Sequence, residues 1–277
     1  MIEGRRFWKM TGSGNDFVFI DGRSGSAGDF ESAELIQRLC ERGTGIGADG
    51  LVILTVPEKG DADLALSYFN ADGSLAALCG NATLCTASLA TQLGAVDPSG
   101  FSLETGSGVL RARILVGLGL PEFDLPAVAD VQAALPAIEL DPVEQRIGFA
   151  TAGIPHVVIR VPDVSLCDVT GRGRTVRHHR ALAEGANVNF VGRASGGGWQ
   201  IRTYERGVEA ETLACGTGSV AAAVLLRVWG EAGDDVELET ASGAMLGIRS
   251  SHTADGDWST SLRGEGRLVF EGEIRDL

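Results

Sequence analysis

Residues 68–94 read YFNADGSLAALCGNATLCTASLATQLG, and residues 204–230 read YERGVEAETLACGTGSVAAAVLLRVWG. Aligned without a gap at an offset of 136 residues, the two segments superpose their first tyrosines, their last glycines and a Cys-Gly pair. The pairs are Cys79-Gly80 and Cys215-Gly216. Because internal repeats decide the whole fold, this match is the starting point for everything else.

Two weaker matches flank the repeat in the same order. Leu103-Glu104-Thr105 recurs as Leu238-Glu239-Thr240 at an offset of 135 residues, and Gly47-Ala48-Asp49 resembles Gly185-Ala186-Asn187 at an offset of 138. Half of the 277-residue chain is about 138 residues, so the duplication accounts for the whole chain. We therefore predict two similar domains, 1–125 carrying Cys79 and 126–277 carrying Cys215, with a closing strand that packs back on the N-terminal half as an alternative.

Each half combines one buried helix with several strands. After each Cys-Gly pair an Ala- and Leu-rich run, 82–93 and 219–229, is apolar on nearly all sides, which predicts a buried helix. Short, often β-branched segments bounded by Gly, Asp or Pro predict strands at 17–20, 51–54, 64–68, 156–161 and 200–204. The fold class is therefore α/β (α+β).

Three further segments belong to the periphery of this plan. An amphipathic helix is expected at about 32–42, on the surface. Residues 124–142 are rich in Pro and Ala without clear periodicity, and we expect the connection between the halves there. The basic run 172–180 is expected to be a solvated face.

Composition excludes several classes of function. The formal charge is −14, from 23 basic and 37 acidic side chains, so the chain has no electrostatic footprint for nucleic acid or anionic lipid. No apolar stretch approaches the roughly 20 residues of a membrane span. Five cysteines without a secretion signal indicate thiols in a reducing compartment, and we expect a cytoplasmic protein.

The sequence also argues against the common cofactors. Only Lys9 and Lys59 could form the Schiff base of a pyridoxal phosphate enzyme, and Lys59 lies in a Pro-Glu-Lys-Gly stretch that is typical of an exposed turn. There is no phosphate-binding loop, no CxxC pair and no HExxH helix, and the four histidines are too scattered to predict a metal site. We therefore expect chemistry without a cofactor or a metal.

The duplicated Cys-Gly pairs are the candidate chemical groups. A cysteine at the start of a buried helix lies among unpaired N–H groups that favour an anion, which lowers a thiol pKa from about 8.5. The glycine lets a ligand approach, so that the N–H groups of Gly80-Asn81 and Gly216-Thr217 could bind one carboxylate from two sides. Two thiols on opposite faces of one carbon are the minimum apparatus for inverting a stereocentre, because one removes the proton and the other returns it.

Cysteine is also a common buried, small apolar residue. We expect this packing role for Cys40, for Cys167, and for Cys85, which lies about 600° round the helix from Cys79 and so points away from it. For Cys79 and Cys215 the repetition and the glycine that follows favour the chemical role.

Four segments together resemble the diaminopimelate epimerase family: MTGSGNDFVFID from Met10, YFNADGSLAALCGN, GANVNFV and TYERGVEAETLACGTGS. The resemblance runs in order over nearly the whole chain. It implies two pseudo-twofold-related domains, each a mostly antiparallel, strand-rich half-barrel around a central helix. It also implies inversion of an amino acid α-carbon without pyridoxal phosphate or metal, between LL- and meso-diaminopimelate, and it is compatible with a homodimer.

The resemblance also assigns roles by motif. Cys79 and Cys215 are similar to the family's acid and base, and His156 and Glu205 to the residues that adjust the thiol pKa values. A nearby cation would favour a thiolate and a carboxylate would disfavour it. The substrate-binding groups implied are Asn15, Asn70, Gly80, Asn81, Asn187, Glu205, Arg206, Gly216 and Thr217. For His156 the alternative is a core histidine at the start of a strand.

The chain departs from the family pattern at four places. Ile154 replaces an asparagine that binds the distal end of the substrate, and Gly50 stands where some members carry glutamine. Residues 264–266 read GEG instead of Gly-Pro-Ala, and residues 81–84 read NATL instead of Asn-Gly-Ala-Arg. Because Ile154 lacks the amide, a racemase of another amino acid, such as histidine, is the alternative function. A binding protein without catalysis is a third, which the retention of both thiols, His156 and Glu205 disfavours.

Overall fold

The computed structural model describes residues 3–25, 27–30, 32–58, 60, 62–254 and 256–275. Within these ranges the chain forms strands and α-helices with the following bounds. The strands are β1 Arg6–Gly12, β2 Asn15–Asp21, β3 Gly50–Thr55, β4 Leu64–Asn70, β5 Leu75–Ala76, β6 Phe101–Thr105, β7 Gly108–Ile114, β8 Pro121–Gln132, β9 Arg146–Ala152, β10 Ile154–Arg160, β11 Asn187–Arg193, β12 Trp199–Glu205, β13 Ala210–Thr212, β14 Asp235–Glu239, β15 Met245–His252, β16 Trp258–Gly264 and β17 Arg267–Glu273. The helices are α1 Ala33–Cys40, α2 Gly80–Gln92, α3 Val169–Arg177 and α4 Gly216–Val228.

The chain divides into two compact units. The N-terminal unit comprises Met1–Phe123 and Arg263–Leu277, and the C-terminal unit comprises Asp124–Leu262. The division between Phe123 and Asp124 lies two residues before the predicted one. Because β17 pairs antiparallel with β1, the closing segment belongs to the N-terminal unit.

Strands of the N-terminal unit surround α2. In this sheet β17 neighbours β1, followed by β2, β3, β4, β6, β7 and the start of β8. The β2–β3 and β4–β6 pairs are parallel and the others are antiparallel. Helix α2 packs on β1, β3, β7 and β17, and its residues from Asn81 to Ala87 are all buried.

The C-terminal unit repeats this plan around α4. Its strands follow the order β9, β10, β11, β12, β14 and β15, in which β10–β11 and β12–β14 are the parallel pairs. Helix α4 packs on β9, β10, β11 and β15. The two units therefore share one alternation of parallel and antiparallel pairs, as expected for copies of one ancestral segment.

Both buried helices begin earlier than their apolar runs. The predicted start at residue 82 is in fact Gly80, and the predicted start at 219 is Gly216. In each case the cysteine is the last extended residue and the glycine takes the first helical position. The helix therefore begins directly at the thiol.

Peripheral segments match the predictions less closely. Residues 124–132 continue β8 instead of forming an irregular connection, and the strand shifts register between Ala129 and Gln132. Its uneven burial gives no period of two, so the sequence did not predict a strand here. The basic run lies partly on α3, where Gly173 and Val176 are buried and Arg172 pairs with Glu144 at 2.8 Å, so only its remaining positions form a solvated face. The turn expected at Lys59 lies outside the described residues.

Packing around α2 should dominate the stability of the N-terminal unit. Leu89 lies on this helix and is 1% exposed, whereas Val116 in the same unit is fully exposed. Leu89→Ala should lower the free energy of unfolding by about 2–5 kcal/mol because it removes buried methyl groups and leaves a cavity. Val116→Ala should change it by less than about 0.5 kcal/mol. Chemical denaturation of both variants tests this, and equal losses would contradict the central position of α2.

Candidate active site

Cys79 and Cys215 have matching backbone geometry at the N-termini of α2 and α4. Each is the N-cap residue with extended φ and ψ, −132° and 117° for Cys79 and −130° and 109° for Cys215. The carbonyl of Cys79 accepts hydrogen bonds from the backbone and hydroxyl of Thr83, and that of Cys215 accepts the same pair from Ser219. Both cysteines are half-buried thiols. Each thiol thus lies beside first-turn N–H groups that favour a negative charge.

A chain of amides extends from α2 in the N-terminal unit. Asn81 donates to Asn15 at 2.7 Å, and Asn15 donates to the carboxylate of Asp49 at 2.9 Å. Asp49 is held in turn by Arg42 at 2.8 Å. Asn15 and Asn81, which the sequence analysis placed at the site, are therefore brought together and oriented by a charged pair that it missed.

A second ion pair, between Lys9 and Asp16, shares Arg42 with this amide chain. Lys9 is 7% exposed and lies 2.7 Å from Asp16, which also pairs with Arg42. Burial raises the pKa of Asp16, but hydrogen bonds from Arg42 and Lys9 outweigh it and lower the value to about 2. The Lys9 ammonium is thus committed to a structural contact. Of the two lysines, Lys59 lies outside the described residues.

Asn70 occupies the end of β4, opposite Gly50 on β3. Its side-chain amide donates to the Ser74 hydroxyl at 2.9 Å, which closes the turn that leads into β5. The structure gives Asn70 this turn-forming contact. Its half-buried side chain leaves the carbonyl oxygen of the amide as an acceptor for a further donor.

Polar groups surround the Cys215 sulfur in the C-terminal unit. The Asn187 amide lies 3.8 Å and the Thr217 hydroxyl 3.6 Å from it. Asn187 also accepts a hydrogen bond from the backbone N–H of Arg206 at 2.7 Å. These four predicted site residues therefore form one contiguous cluster. Gly218 is needed there, because a Cβ at this position would overlap the Asn189 amide and lie 3.3 Å from the sulfur.

Arg206 and Glu205 are the charged residues next to this cluster, to which Arg206 is joined through its backbone N–H. The Arg206 guanidinium donates to the carbonyl of Glu184 at 3.1 Å and remains partly exposed. Its remaining N–H groups can therefore donate to a carboxylate ligand. Burial raises the pKa of the Glu205 carboxyl above its usual range. The Arg206 cation thus lies next in sequence to the Glu205 carboxyl group, whose pKa is higher than that of an exposed glutamate.

His156 is fully buried and uncharged at neutral pH. Its Nδ1 lies 3.2 Å from the Asn189 amide nitrogen, and the Asn189 carbonyl oxygen accepts from Thr203 at 2.9 Å. The amide nitrogen is therefore the donor to Nδ1, which places the imidazole proton on Nε2. Burial, and then the positive charge of Arg206, lower the pKa of His156 to about 3. His156 is thus no cation beside a thiolate, and its Nε2–H is a buried donor with no partner among the described residues.

Asn189 is a further residue of the site that no motif in the sequence singled out. Residues 187 and 189 lie two apart on β11, so their side chains point to one face of the sheet. This period of two within the segment GANVNFV was the available signal. Asn189 links His156 to the Cys215 cluster, whereas Asn187 contacts the sulfur itself.

The other three cysteines are packing residues to different degrees. Cys40 is 3% exposed and burial raises its pKa to about 11, and Cys85 is fully buried with its pKa raised well above the usual value. Cys167 is half-buried and its thiol lies 3.6 Å from the Asp163 carbonyl. Burial raises the pKa of all three thiols and so disfavours their thiolates.

No group of three or more metal-ligating side chains is found in the part of the chain that the structure describes. In the same residues no helix is long and apolar enough to cross a membrane.

Comparison with known protein families gives one match that covers most of the chain. A family model described as diaminopimelate epimerase matches residues 7–116 and 148–269. The chain is 46% identical to a protein of Gemmatimonas aurantiaca named diaminopimelate epimerase, over 98% of this chain and 99% of the other. Proteins of the same name from Aquifex aeolicus and Archaeoglobus fulgidus are 35% and 36% identical, over 98% and 97% of this chain and 98% and 96% of theirs.

Solved structures with low sequence identity share the fold. A phenazine biosynthesis protein of the PhzF family from Bacillus anthracis gives a TM-score of 0.75 at 16% identity, over 98% of both chains. A probable proline racemase from Agrobacterium radiobacter gives 0.68 at 16% identity, over 99% of this chain and 93% of that one. The predicted strand-rich α+β class is thereby confirmed.

Stability should depend on pH through His156. Its pKa is near 6.5 in an unfolded chain and about 3 in the folded one, so on acidification the unfolded state takes up a proton first. The free energy of unfolding should therefore fall between about pH 6.5 and pH 3, by up to about 1.4 kcal/mol per pH unit from this group. Denaturant titrations of the wild type and His156→Gln at several pH values measure the contribution of His156 to the free energy of unfolding. This free energy should fall more steeply with decreasing pH in the wild type, so the difference between the two proteins should narrow. Parallel pH curves would show that His156 titrates equally in both states.

Proposed function

Because the chain belongs to the diaminopimelate epimerase family, we propose that Cys79 and Cys215 are the acid and the base of its reaction. The enzyme is a pyridoxal-phosphate-independent amino acid epimerase that interconverts LL- and meso-diaminopimelate in lysine biosynthesis. The observation that carries the assignment is the placement of both thiols, each half-exposed at the N-terminus of a buried helix.

The proposed reaction moves one proton off and one proton on. One cysteine, as thiolate, removes the α-proton, and the C–H electron pair moves towards the adjacent carboxyl group. The other cysteine, as thiol, then donates its proton to the opposite face of the same carbon. The first sulfur ends as thiol and the second as thiolate, so the reverse reaction uses the same pair with exchanged roles.

First-turn N–H groups are suited to hold the substrate carboxylate. Those of Gly80 and Asn81, and of Gly216 and Thr217, are positive ends of helix dipoles beside each thiol. They would also stabilise the charge that builds up on the carboxyl group as the proton leaves. We therefore assign these four residues to binding of the reacting amino acid.

Asn15, Asn70, Asn187 and Arg206 are proposed to bind the remaining polar groups of the substrate. Support comes from the hydrogen bonds that orient Asn15 and Asn187 and from the partly exposed fork of Arg206. Fixed donors and acceptors of this kind select one orientation of an amino acid, because a mismatched buried polar group costs about 1–3 kcal/mol.

His156 and Glu205 are proposed to adjust the reactivity of the thiols. Since His156 is neutral, it would act as a hydrogen-bond donor through Nε2 and not as a cation. Glu205, when ionised, would oppose a nearby thiolate, and its raised pKa limits this effect at lower pH.

Ile154 is the feature that favours an alternative substrate. It is 36% exposed at the start of β10, and it offers no hydrogen bond where the family pattern has an amide. A racemase of another amino acid, such as histidine, is the second candidate, and the experiment below includes it.

Two further properties belong to the proposal. We place the enzyme in the cytoplasm, supported by five cysteines that are all thiols. We propose a homodimer on the family resemblance alone, and sedimentation of the purified protein tests it.

Cys79→Ala and Cys215→Ala should each reduce epimerisation of LL-diaminopimelate by at least about 100-fold, because each removes a group that transfers a proton. The measurement is α-proton exchange in deuterated water across a panel of amino acids, with Cys167→Ala as the matched control that removes a thiol elsewhere. Cys167→Ala should retain wild-type activity.

The amino acids that undergo α-proton exchange decide between a diaminopimelate epimerase and a racemase of another amino acid. Exchange with diaminopimelate alone supports the epimerase, and exchange with another amino acid but not with diaminopimelate supports the racemase. Retention of activity in either cysteine variant would overturn the two-thiol mechanism.

Oxidation should inactivate the enzyme if both thiols act on one carbon. A disulfide between Cys79 and Cys215 would remove the acid and the base together, and a reductant should restore activity. Activity and peptide mass are measured before and after mild oxidation, with Cys167→Ala as the active control that keeps both reacting thiols and should be inactivated in the same way. Full activity of an oxidised protein that contains this disulfide would contradict the mechanism.

A further inference from the structure

Asn189 is a fully buried polar residue of the C-terminal unit, on β11 between β10 and β12. An amide in such a place costs free energy unless its polar atoms are hydrogen-bonded. Its nitrogen donates to the Val157 carbonyl at 3.0 Å and lies 3.2 Å from Nδ1 of His156. Its oxygen accepts from the Thr203 hydroxyl at 2.9 Å. The side chain of Asn189 therefore connects three neighbouring strands.

The first half of the chain has no amide at the equivalent position. At the repeat offset of 138 residues, Asn189 corresponds to Leu51 on β3, which is also fully buried. At the offset of 136 residues, Gly218 on α4 corresponds to Ala82 on α2. A Cβ at Gly218 would lie 2.2 Å from the Asn189 amide oxygen, so the amide needs the glycine. Because the same frame is built around an apolar residue in the first half, the amide serves more than packing in the second.

The surroundings of Asn189 allow one orientation of its amide. A carbonyl group only accepts, so the amide nitrogen must face Val157 and the oxygen must face Thr203. The second N–H of this nitrogen then donates to Nδ1 of His156, which carries a lone pair there and not a proton. A doubly protonated ring would set two N–H groups against each other. His156 is thus held neutral, with its proton on Nε2.

His156 lies next to the polar cluster around the Cys215 sulfur. It is the direct partner of Asn187 in the parallel pairing of β10 with β11, so the two side chains share one face of the sheet. The Asn187 amide lies 3.8 Å from the Cys215 sulfur. Nε2 of His156 is buried and has no hydrogen-bond partner among the described residues. With Nδ1 bound to Asn189, the Nε2–H group is what His156 can offer to a ligand.

We propose that Asn189 is a positioning residue that acts through His156: its amide fixes the imidazole as the Nε2–H tautomer, so that His156 donates a hydrogen bond to the substrate carboxylate beside Cys215. The group bound to one ring nitrogen decides whether the other donates or accepts, and an amide N–H on Nδ1 makes Nε2 a donor. Such a donor gains strength as negative charge builds up on the carboxyl group. The tautomer is independent of the reaction, whereas its consequence for catalysis rests on the proposed function.

Nitrogen NMR of the isotope-labelled protein at neutral pH tests the tautomer, because protonated and unprotonated ring nitrogens give separate signals. The signals of His156 are identified by their absence from His156→Gln. The wild type should show a protonated Nε2 and an unprotonated Nδ1. Asn189→Asp replaces the donor by an acceptor of the same shape and should move a proton onto Nδ1. A protonated Nδ1 in the wild type, or an unchanged Nδ1 in folded Asn189→Asp, would overturn the inference.

A second variant, Asn189→Leu, avoids placing a buried carboxylate. It introduces the residue of the first half, and thermal unfolding checks that the variant folds. Nδ1 of His156 should lose its hydrogen bond, which changes the chemical shift of this nitrogen. An unaltered Nδ1 signal in folded Asn189→Leu would contradict the inference as well.

α-Proton exchange with diaminopimelate separates a positioning role from a packing role. Asn189→Leu should slow exchange by about tenfold in the wild-type background and by less than about twofold in a His156→Gln background, since its effect passes through His156. Equal losses in both backgrounds would show that Asn189 acts through packing, and would overturn the inference. Failure of the proposed function would appear separately, as epimerisation that survives Cys79→Ala or Cys215→Ala while the NMR result still holds.

Discussion

The N-terminus of a buried helix is the constraint on which the candidate site depends. Its first N–H groups have no partner within the helix, so burying the helix requires something to satisfy them. In each unit a cysteine stands at this point, extended, with glycine next to it. Because strands cover the sides of the helix, its end is the place where a ligand can reach these donors. The position of each thiol and of the neighbouring first-turn N–H groups thus follows from the burial of one helix whose N-terminus stays partly exposed.

The two copies of the repeat keep the same strand order and helix N-terminus but differ in the side chains around them. Both units keep the same order of parallel and antiparallel pairs, and both helices carry a Thr or Ser that bonds back to the cysteine carbonyl. The side chains around the helices differ in detail: in the second copy the Tyr204 hydroxyl donates to Glu209, and Asn187 and Thr217 lie beside the Cys215 sulfur. The repeat therefore conserved the backbone arrangement more closely than the side chains attached to it.

Most of the fold could be predicted from the repeat, and contacts across strands could not. The Cys-Gly pairs, the buried helices and the strand-rich class follow from composition and spacing within short segments. The contact between Gly50 and Tyr68 depends on how β3 and β4 align, and the link from His156 to Asn189 depends on the parallel register of β10 and β11. Register is a property of paired strands, so a single segment does not contain it. The charge state of His156 was unpredictable for the same reason, since burial decides it.

The five cysteines show why placement, and not residue type, carries the chemistry. Burial raises the pKa of Cys40 to about 11 and that of Cys85 well above its usual value, which disfavours both thiolates. Cys85 lies on the same helix as Cys79, six residues further along, and differs from it in having neither the helix end nor partial exposure. A thiol that is to exchange protons with a substrate must be close to its ionisation point, open on one side and supplied with donors on the other. Cys79 at the N-cap of α2 combines partial exposure with neighbouring first-turn N–H groups, and Cys215 has the same combination on α4.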